Sequence, residues 1–272
     1  MLHGVSRVAA DSAQEALAAA VAADPAVAAT ISDELFAVAS LLDGEPALRR
    51  ALADFSSPVG ARTGLVRGLL GGRVSRATLD LFADMVSARW SAPRDLAIAA
   101  ERLAVQATAA MADAAGEFDD LEDEVFRFGR ILAGEPALRA ALASQQLPAD
   151  RKQGLLETLL ASRVTPAALR LISQASLHPR GRSLEESLAE YARLAAAWHE
   201  RLIAVVRVAT ELTSAQRERL AAALSATYGR GIHLNVVVDP EIVGGISIQI
   251  GDEFIDGSVA SQLALLRRRL AA

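Results

Sequence analysis

The sequence predicts a mainly α-helical protein, in which two tandem helical bundles are followed by a small α+β domain. Most of the chain is rich in alanine and carries apolar residues at helical spacing, and a long segment of it recurs 90 positions later. Only the last part alternates apolar and polar residues with the period of a strand. We therefore predict three domains, 1–114, 115–202 and 203–272, with the helix at 93–114 shared by both bundles.

Composition argues against several classes of function. The chain has 272 residues, a net charge of −5 and no cysteine, so it carries no electrostatic signal for nucleic acid and no thiolate for a metal or disulfide. Its longest alanine-rich stretch is interrupted by Asp24-Pro25 and is too short to span a bilayer. Residues 1–7 lack the apolar segment of a signal peptide. We expect a soluble protein.

The helices of the first bundle follow from their start and stop signals. Val5–Ala22 has an amphipathic pattern that ends before Pro25, and Ser32-Asp33 predicts the N-terminal cap of a second helix that reaches Leu42. A proline close to a helix start predicts the next one, because its missing N–H group would have no partner there. Four further helices are predicted over Pro46–Ala53, Val59–Leu70, Ser75–Arg89 and Pro93–Ala114.

An internal duplication organises the helical region. The segment Gly44–Arg49 recurs as Gly134–Arg139, and about half of the positions in the surrounding window are identical at this offset without a gap. Shared helix periodicity alone would not produce such identity, so we interpret it as a duplicated helical unit. Two copies are too few for a solenoid, which favours two related bundles. Between them, the acidic segment Gly116–Glu124 indicates the solvated start of a helix.

The remainder of the chain predicts an α+β unit. Thr213 and Gln216 form a capping-box pattern that begins a helix ending near Tyr228. Another helix is expected over Ser183–Leu202, and Asp256-Gly257-Ser258 predicts the start of a last one. Strands are predicted over Ala204–Ala209, Ile232–Asp239, Ile246–Ile250 and Glu253–Ile255.

A run of closely spaced, constrained residues follows the second strand: Val238, Asp239, Pro240, Gly244, Gly245, Gly251, Asp252, Asp256, Gly257 and Ser258. Together with Leu263 and Leu266, this pattern resembles the C-terminal signature of the ATP synthase delta subunit family, called oligomycin-sensitivity-conferring protein in mitochondria. The bundles resemble the family's helical pattern at Pro46, Leu48, Arg49 and Leu52 and again at Pro136, Leu138, Arg139, Leu142 and Lys152. The family ordinarily has one bundle, so two copies resemble the enlarged actinobacterial type.

The resemblance implies a stator subunit that links the catalytic head of an F-type ATP synthase to its peripheral stalk. It implies no enzyme activity, no cofactor, one copy per complex and a peripheral position on the cytoplasmic side of the cell membrane. In the family, a groove between the first and fifth helices binds N-terminal helices of the alpha subunits, and the C-terminal domain binds the end of the b subunit.

Carried over to this chain, the resemblance implies two candidate grooves. One lies between Val5–Ala22 and Ser75–Arg89, the other roughly between Pro93–Ala114 and Thr165–Leu177, and the residues leave open which copy is used. The candidate lining of the first groove is Val8, Leu17, Leu79, Phe82, Met85, Val86 and Trp90. Each of these apolar residues fits the core of a bundle as well as a groove for a partner helix.

The residues themselves indicate no catalytic site. The four histidines lie on different predicted elements, at His3, His178, His199 and His233. Gly244-Gly245 has no following lysine and begins a strand, which indicates a bulge or a close backbone approach and no phosphate loop. The alternative function is a helical adaptor of another assembly, which would have no reason to carry the 238–258 signature. An enzyme would need converging polar residues, and RNA binding conflicts with the acidic charge.

Overall fold

The computed structural model describes residues 2–144, 146–210, 212–228, 233–239, 242, 244–250 and 253–258. Contacts between residues divide the chain into two compact units, Met1–Ala196 and Ala197–Ala272. The first unit contains both helical copies, so the finer boundary near residue 114 stays a prediction. The mainly helical fold class with a small α+β end is confirmed.

The first copy consists of six helices: α1 (Gly4–Ala23), α2 (Val27–Gly44), α3 (Pro46–Ala53), α4 (Val59–Leu70), α5 (Arg76–Ser87) and α6 (Pro93–Ala115). The predicted start of α2 at Ser32-Asp33 is wrong, because both residues lie inside the helix. Asp24 marks the turn before it, since its carboxylate accepts a hydrogen bond of 3.0 Å from the backbone N–H of Ala26. Ser32 is buried instead, with its hydroxyl 2.7 Å from that of Thr108 on α6.

The second copy continues with α7 (Phe118–Gly134), α8 (Pro136–Ala143), α9 (Ala149–Leu160), α10 (Pro166–Leu177) and α11 (Leu184–Leu202). The bounds of α8, α9 and α10 each lie 90 positions after those of α3, α4 and α5. By the same offset, α6 corresponds to α1 and α11 corresponds to α6. The duplication is therefore structural, and α6 serves as the last helix of the first copy and the first helix of the second.

Helix α6 runs through the middle of the first unit. Its residues are buried on nearly every side, including Ala99, Leu103 and Ala107, and α2 packs along it as its main neighbour. Because many of these side chains are alanine, the helices can approach closely. Gly116 ends α6 in the left-handed conformation, at φ 72°, and the acidic residues Asp119 and Asp120 fall in the first turn of α7, as predicted.

The second unit contains β1 (Ile203–Val208), α12 (Ser214–Tyr228), β2 (His233–Val238), β3 (Gly245–Ile250) and β4 (Glu253–Ser258). Over these residues the sheet has the order β2-β1-β3-β4, with β1 parallel to β2 and the other neighbours antiparallel. The predicted capping box begins α12, because Gln216 accepts a hydrogen bond of 2.8 Å from the backbone of Thr213. The buried core consists of Val206, Val208, Leu224, Ile248 and Ile250.

The predicted helix start at Asp256-Gly257-Ser258 is wrong, because these residues complete β4 and pair with β3. The expected last helix, with Leu263 and Leu266, lies outside the described residues. On β3, the predicted alternation holds for Ile248, Ile250 and the exposed Gln249, whereas Ser247 is also buried.

Candidate partner-binding surfaces

The residues predicted to line the first groove divide into two groups. Five of them fill the core of the first copy and are at most 6% exposed: Leu17, Phe82, Met85, Val86 and Trp90. The indole N–H of Trp90 donates a hydrogen bond of 2.8 Å to the carbonyl oxygen of Met85, which satisfies its polar atom. These five side chains position α1 and α5 and are not themselves available to a partner.

The surface that remains available lies on the outer face of α1. Val8 is 70% exposed and Val5 is 47% exposed, while Leu79 on the neighbouring α5 is half-buried. Further along the same face of α1, Ser12 and Ala19 are exposed too. Small and apolar side chains at this spacing give a shallow strip on which an amphipathic helix can lie. The exposure of Val5 carries no signal in the sequence, because a valine on a helix is more often buried.

The corresponding face of the second copy is covered by the chain itself. Ala109 on α6, which is equivalent to Ala19, is fully buried, and Ile98, equivalent to Val8, is half-buried. Arg102, equivalent to Ser12, forms an ion pair with Glu190 at 3.3 Å. The two copies therefore present different surfaces despite their matching helices.

Contacts between the copies account for this difference. The guanidinium of Arg170 on α10 binds both carboxylate oxygens of Asp33 on α2, at 2.6 and 2.9 Å. Arg180, in the loop after α10, reaches α2 as well, donating to Asp43 at 2.7 Å and to Ser40 at 3.0 Å. As a result, α2 covers the outer face of α6 in the second copy. The equivalent face of α1 in the first copy stays exposed.

A buried carboxylate joins these contacts. Glu101 on α6 is 2% exposed and accepts hydrogen bonds from Arg180 at 3.0 Å, from Tyr191 at 2.6 Å and from Arg182. Two guanidinium groups and a phenol compensate the cost of burying its charge. Burial and the Glu101 carboxylate raise the pKa of Tyr191 well above its usual range, so the phenol stays a donor.

Two further groups near this cluster have altered pKa values. Burial and the Arg180 guanidinium lower the pKa of His178, which favours the neutral imidazole. Burial opposes ionisation of Glu190, but hydrogen bonds from Arg193 and the nearby positive charges lower the pKa of that carboxyl below its usual value. The shifts follow from packing between helices and not from a catalytic arrangement.

In the second unit, the described signature residues are explained by the backbone. Gly245 has φ 83°, a conformation that favours glycine, whereas the bulge or close backbone approach expected at Gly244-Gly245 stays a prediction. A Cβ atom at Gly257 would lie 3.1 Å from the carbonyl oxygen of Ile246 on the paired strand. The backbone N–H of Asp239 donates to the carbonyl oxygen of Val208 at 2.8 Å, next to the bend at Gly244. Pro240 and Gly251 lie outside the described residues.

Large apolar side chains are exposed on the two edge strands of the sheet. Phe254 on β4 is 57% exposed, Ile255 is 39% exposed and Val238 at the end of β2 is 44% exposed. Because β2 and β4 are opposite edge strands, these side chains do not form one patch, and the larger exposed apolar side chain is that of Phe254.

The part of the chain that the structure describes contains no group of three histidine or acidic residues placed to hold a metal ion. Within that same part, each helix falls short of the length and apolar character that a bilayer crossing requires.

Comparisons with known proteins agree on one family. Residues 102–270 match the family described as "ATP synthase delta (OSCP) subunit". ATP synthase subunit delta of Thermobifida fusca is 50% identical over 243 residues, covering 89% of this chain and 90% of that protein. The protein of the same name from Acidothermus cellulolyticus is 48% identical, covering 89% of this chain and 88% of its own length.

The length of the chain is also shared. ATP synthase subunit delta of Streptomyces avermitilis is 44% identical over 270 residues and covers 99% of both chains. One chain of the cryo-EM structure of the Toxoplasma gondii mitochondrial ATP synthase hexamer aligns with 62% of this chain and 95% of its own length. That alignment has 16% identity and a TM-score of 0.31, too low to support an argument.

Proposed function

The chain belongs to the ATP synthase delta (OSCP) subunit family, in its enlarged actinobacterial form, and on that basis we propose how it acts as the stator subunit. Members of the family are structural and have no catalytic role in the complex. The subunit links the catalytic head to the peripheral stalk, so that the head stays still while the rotor turns. A subunit in this position needs persistent contacts with the head and with the stalk, and it needs no active site.

At the head, the first copy supplies the surface for an alpha-subunit N-terminal helix. The carrying observation is the contrast in exposure between equivalent positions: Val8 is 70% exposed and Ile98 half-buried, and Ala19 is exposed whereas Ala109 is fully buried. The family match begins at residue 102, so the bundle that other members have corresponds to the second copy. In this chain α2 covers that copy's first helix, and the equivalent face of α1 takes over the binding role.

At the stalk, the second unit binds the C-terminal end of the b subunit. The exposed Phe254 on the edge strand β4 supports this assignment, because it offers apolar area next to polar strand positions. The subunit is then present once per complex, peripheral to the membrane on its cytoplasmic side. These details rest on family membership and on the two exposed surfaces.

Binding of two peptides to the full-length protein tests the proposal. One peptide is the N-terminal segment of the same organism's alpha subunit, and the other is the C-terminal segment of its b subunit. Val8→Asp places a charge on the proposed helix-binding strip and should weaken alpha-peptide binding at least about tenfold, because the carboxylate would have to be desolvated. Binding of the b peptide should not change.

The matched control is Val59→Asp, since Val59 is an exposed valine on α4 of the same copy, at 46% exposure. It should leave both affinities unchanged. If the wild-type protein binds neither peptide at concentrations at which a groove-bound helix registers, the stator proposal fails and the helical adaptor replaces it. If Val59→Asp weakens binding as much as Val8→Asp does, the assigned surface is wrong.

A further inference from the structure

Lys152 is the only lysine in a chain that otherwise uses arginine as its basic residue. It lies in the first turns of α9 and is 9% exposed, although lysine is almost never this buried without a partner. Among the described residues, no carboxylate or other acceptor is within hydrogen-bonding distance of its side chain. Lys152 lines a cavity, so its ammonium group is a hydrogen-bond donor that an anion in the cavity can reach.

The equivalent residue of the first copy, by contrast, binds the chain itself. Arg62, 90 positions earlier, is buried at 2% exposure and donates hydrogen bonds to the carbonyl oxygens of Val86 and Ala88 at the end of α5. The ring of Phe55 lies 5.8 Å from its guanidinium and 5.1 Å from that of Arg89. There one guanidinium nitrogen binds carbonyl oxygens of the chain, and the other two nitrogens are buried without a hydrogen-bond partner among the described residues.

In the second copy, the same place is a cavity of about 790 Å³. Lys152, Arg139 and Arg182 contribute positive charge to its lining, and the Nε atom of Arg182 is buried with no hydrogen-bond partner among the described residues. Glu185 is the acidic residue of the lining, and Arg139 is paired with it at 3.8 Å. Arg182 already donates to Glu101, so Lys152 is the cationic group of the lining that has no partner among the described residues.

The rest of the lining is largely apolar. Its hydrophobic walls are formed by Leu142, Leu147, Leu177 and Leu184 together with Pro136 and Pro179. A cavity of this volume, apolar with a few converging polar groups, has the character of a small-molecule or side-chain site. A small, strongly hydrated anion such as phosphate would leave these leucines unused, whereas a carboxylate on an apolar body would contact both parts of the lining.

We propose that this cavity binds an organic carboxylate, with the carboxylate group on Lys152 and the apolar body against the leucines. The inference does not depend on the stator function, since the cavity is formed by α8, α9, the end of α10 and the start of α11. It is separate from the outer face of α1. The source of the carboxylate is a free acid or an acidic residue of a bound polypeptide.

The single lysine makes a site-specific test possible. Full-length protein labelled with ¹³C-lysine gives one set of lysine signals, and sodium octanoate is titrated against it. A saturable shift of the Lys152 Cε signal by octanoate is the expected result, with at most a small shift by 1-octanol, which lacks the charge, or by inorganic phosphate, which lacks the apolar body. Equal responses to octanoate and 1-octanol, or a response to phosphate alone, would overturn the proposal.

Calorimetry of octanoate binding to two variants completes the test. Lys152→Met keeps the length of the side chain and removes its charge, and it should weaken binding at least about tenfold. Arg151→Met removes the same charge from the exposed neighbouring position and should leave binding unchanged. If the two variants bind octanoate equally, the site is not at Lys152. Displacement of octanoate by the alpha or b peptide would assign the carboxylate to a polypeptide, and its absence to a free acid.

Discussion

The two helical copies have the same internal plan and different surroundings. Helices α3, α4 and α5 are matched by α8, α9 and α10 at an offset of 90 positions, and both copies anchor the fifth helix in the same way. Ser75 donates a hydrogen bond of 2.7 Å to Glu34, and Thr165 donates one of 2.8 Å to Glu124. The exposed face of α1, by contrast, corresponds to a buried face of α6.

This contrast teaches which features follow from local sequence and which follow from position in the chain. Capping and helix bounds depend on residues within a few positions of one another, and duplication copies them intact. Exposure depends on neighbours that are far away along the chain. Only the second copy is preceded in the sequence by another copy, whose helix α2 can pack against it. The duplication therefore yields one free face and one covered face from the same helical plan.

The effect of mutation on the free energy of unfolding should differ most between the copies at Glu101 and its equivalent, Asp11. Glu101→Gln removes the charge that two guanidinium groups bind in the interior, so we expect a loss of about 3–5 kcal/mol in the free energy of unfolding. Asp11→Asn should cost less than about 0.5 kcal/mol, because its ion pair with Arg7 is 3.9 Å long and solvent-exposed. Urea unfolding measures both, and similar losses would contradict the contrast.

The fifth helices should respond alike in the two copies. Ser75 caps α5 and Thr165 caps α10, each accepting a hydrogen bond from the backbone three residues on. Ser75→Ala and Thr165→Ala should each lower the free energy of unfolding by about 1 kcal/mol. Agreement within about 0.5 kcal/mol in urea unfolding would support equivalent capping, whereas a loss at one position only would show that the duplication has not kept it.

The ion pair between Arg170 and Asp33, which joins the two copies, should contribute less to the free energy of unfolding. Arg170→Met breaks the two-oxygen ion pair with Asp33, which is partly exposed, and should cost about 1 kcal/mol or less. Arg76→Met breaks a local ion pair with Asp80 on α5, with both side chains largely in solvent, and should have no measurable effect. Thermal unfolding of both variants tests this prediction. An equal shift in Tm for Arg170→Met and Arg76→Met would argue against a role of Asp33 in joining the copies.

The smallest expected effect depends on pH. The pKa of His178 is lowered in the folded state, so the unfolded chain binds a proton at higher pH than the folded chain does. Stability should therefore decline as the pH falls below about 6.5, by less than about 1 kcal/mol from this group. In His178→Gln the difference in stability between pH 7.5 and pH 5.5 should be smaller than in the wild type. An unchanged or larger difference would show that His178 does not titrate in this way.

Sequence reasoning predicted what short-range signals determine. The bounds of α3 and α4 and the capping box of α12 depend on residues close together in the chain, and the offset of the duplication follows directly from the repeated residues. The start of α2 was wrong because Ser32-Asp33 resembles a cap but is followed and preceded by helix. The helix start predicted at Asp256 was wrong because Asp256, Gly257 and Ser258 lie in a strand paired with β3.

The candidate sites were harder to predict, because exposure is set by distant contacts. Glu101 gave no signal in the sequence, since its partners Arg180 and Tyr191 are 79 and 90 positions away. Phe82 and Met85 have the same apolar character whether they line a groove or fill a core, and the structure places them in the core. Which face of the duplicated helices is free could not be deduced from the pattern of either copy alone.

Hydrogen–deuterium exchange of the full-length protein, with and without the alpha-subunit N-terminal peptide, tests the central claim most directly. The account predicts that the peptide slows exchange in α1 and α5 and leaves α6 and α10 unchanged, because α2 already covers α6. Slower exchange in α10 with none in α1 would contradict it and would assign the alpha helix to the second copy.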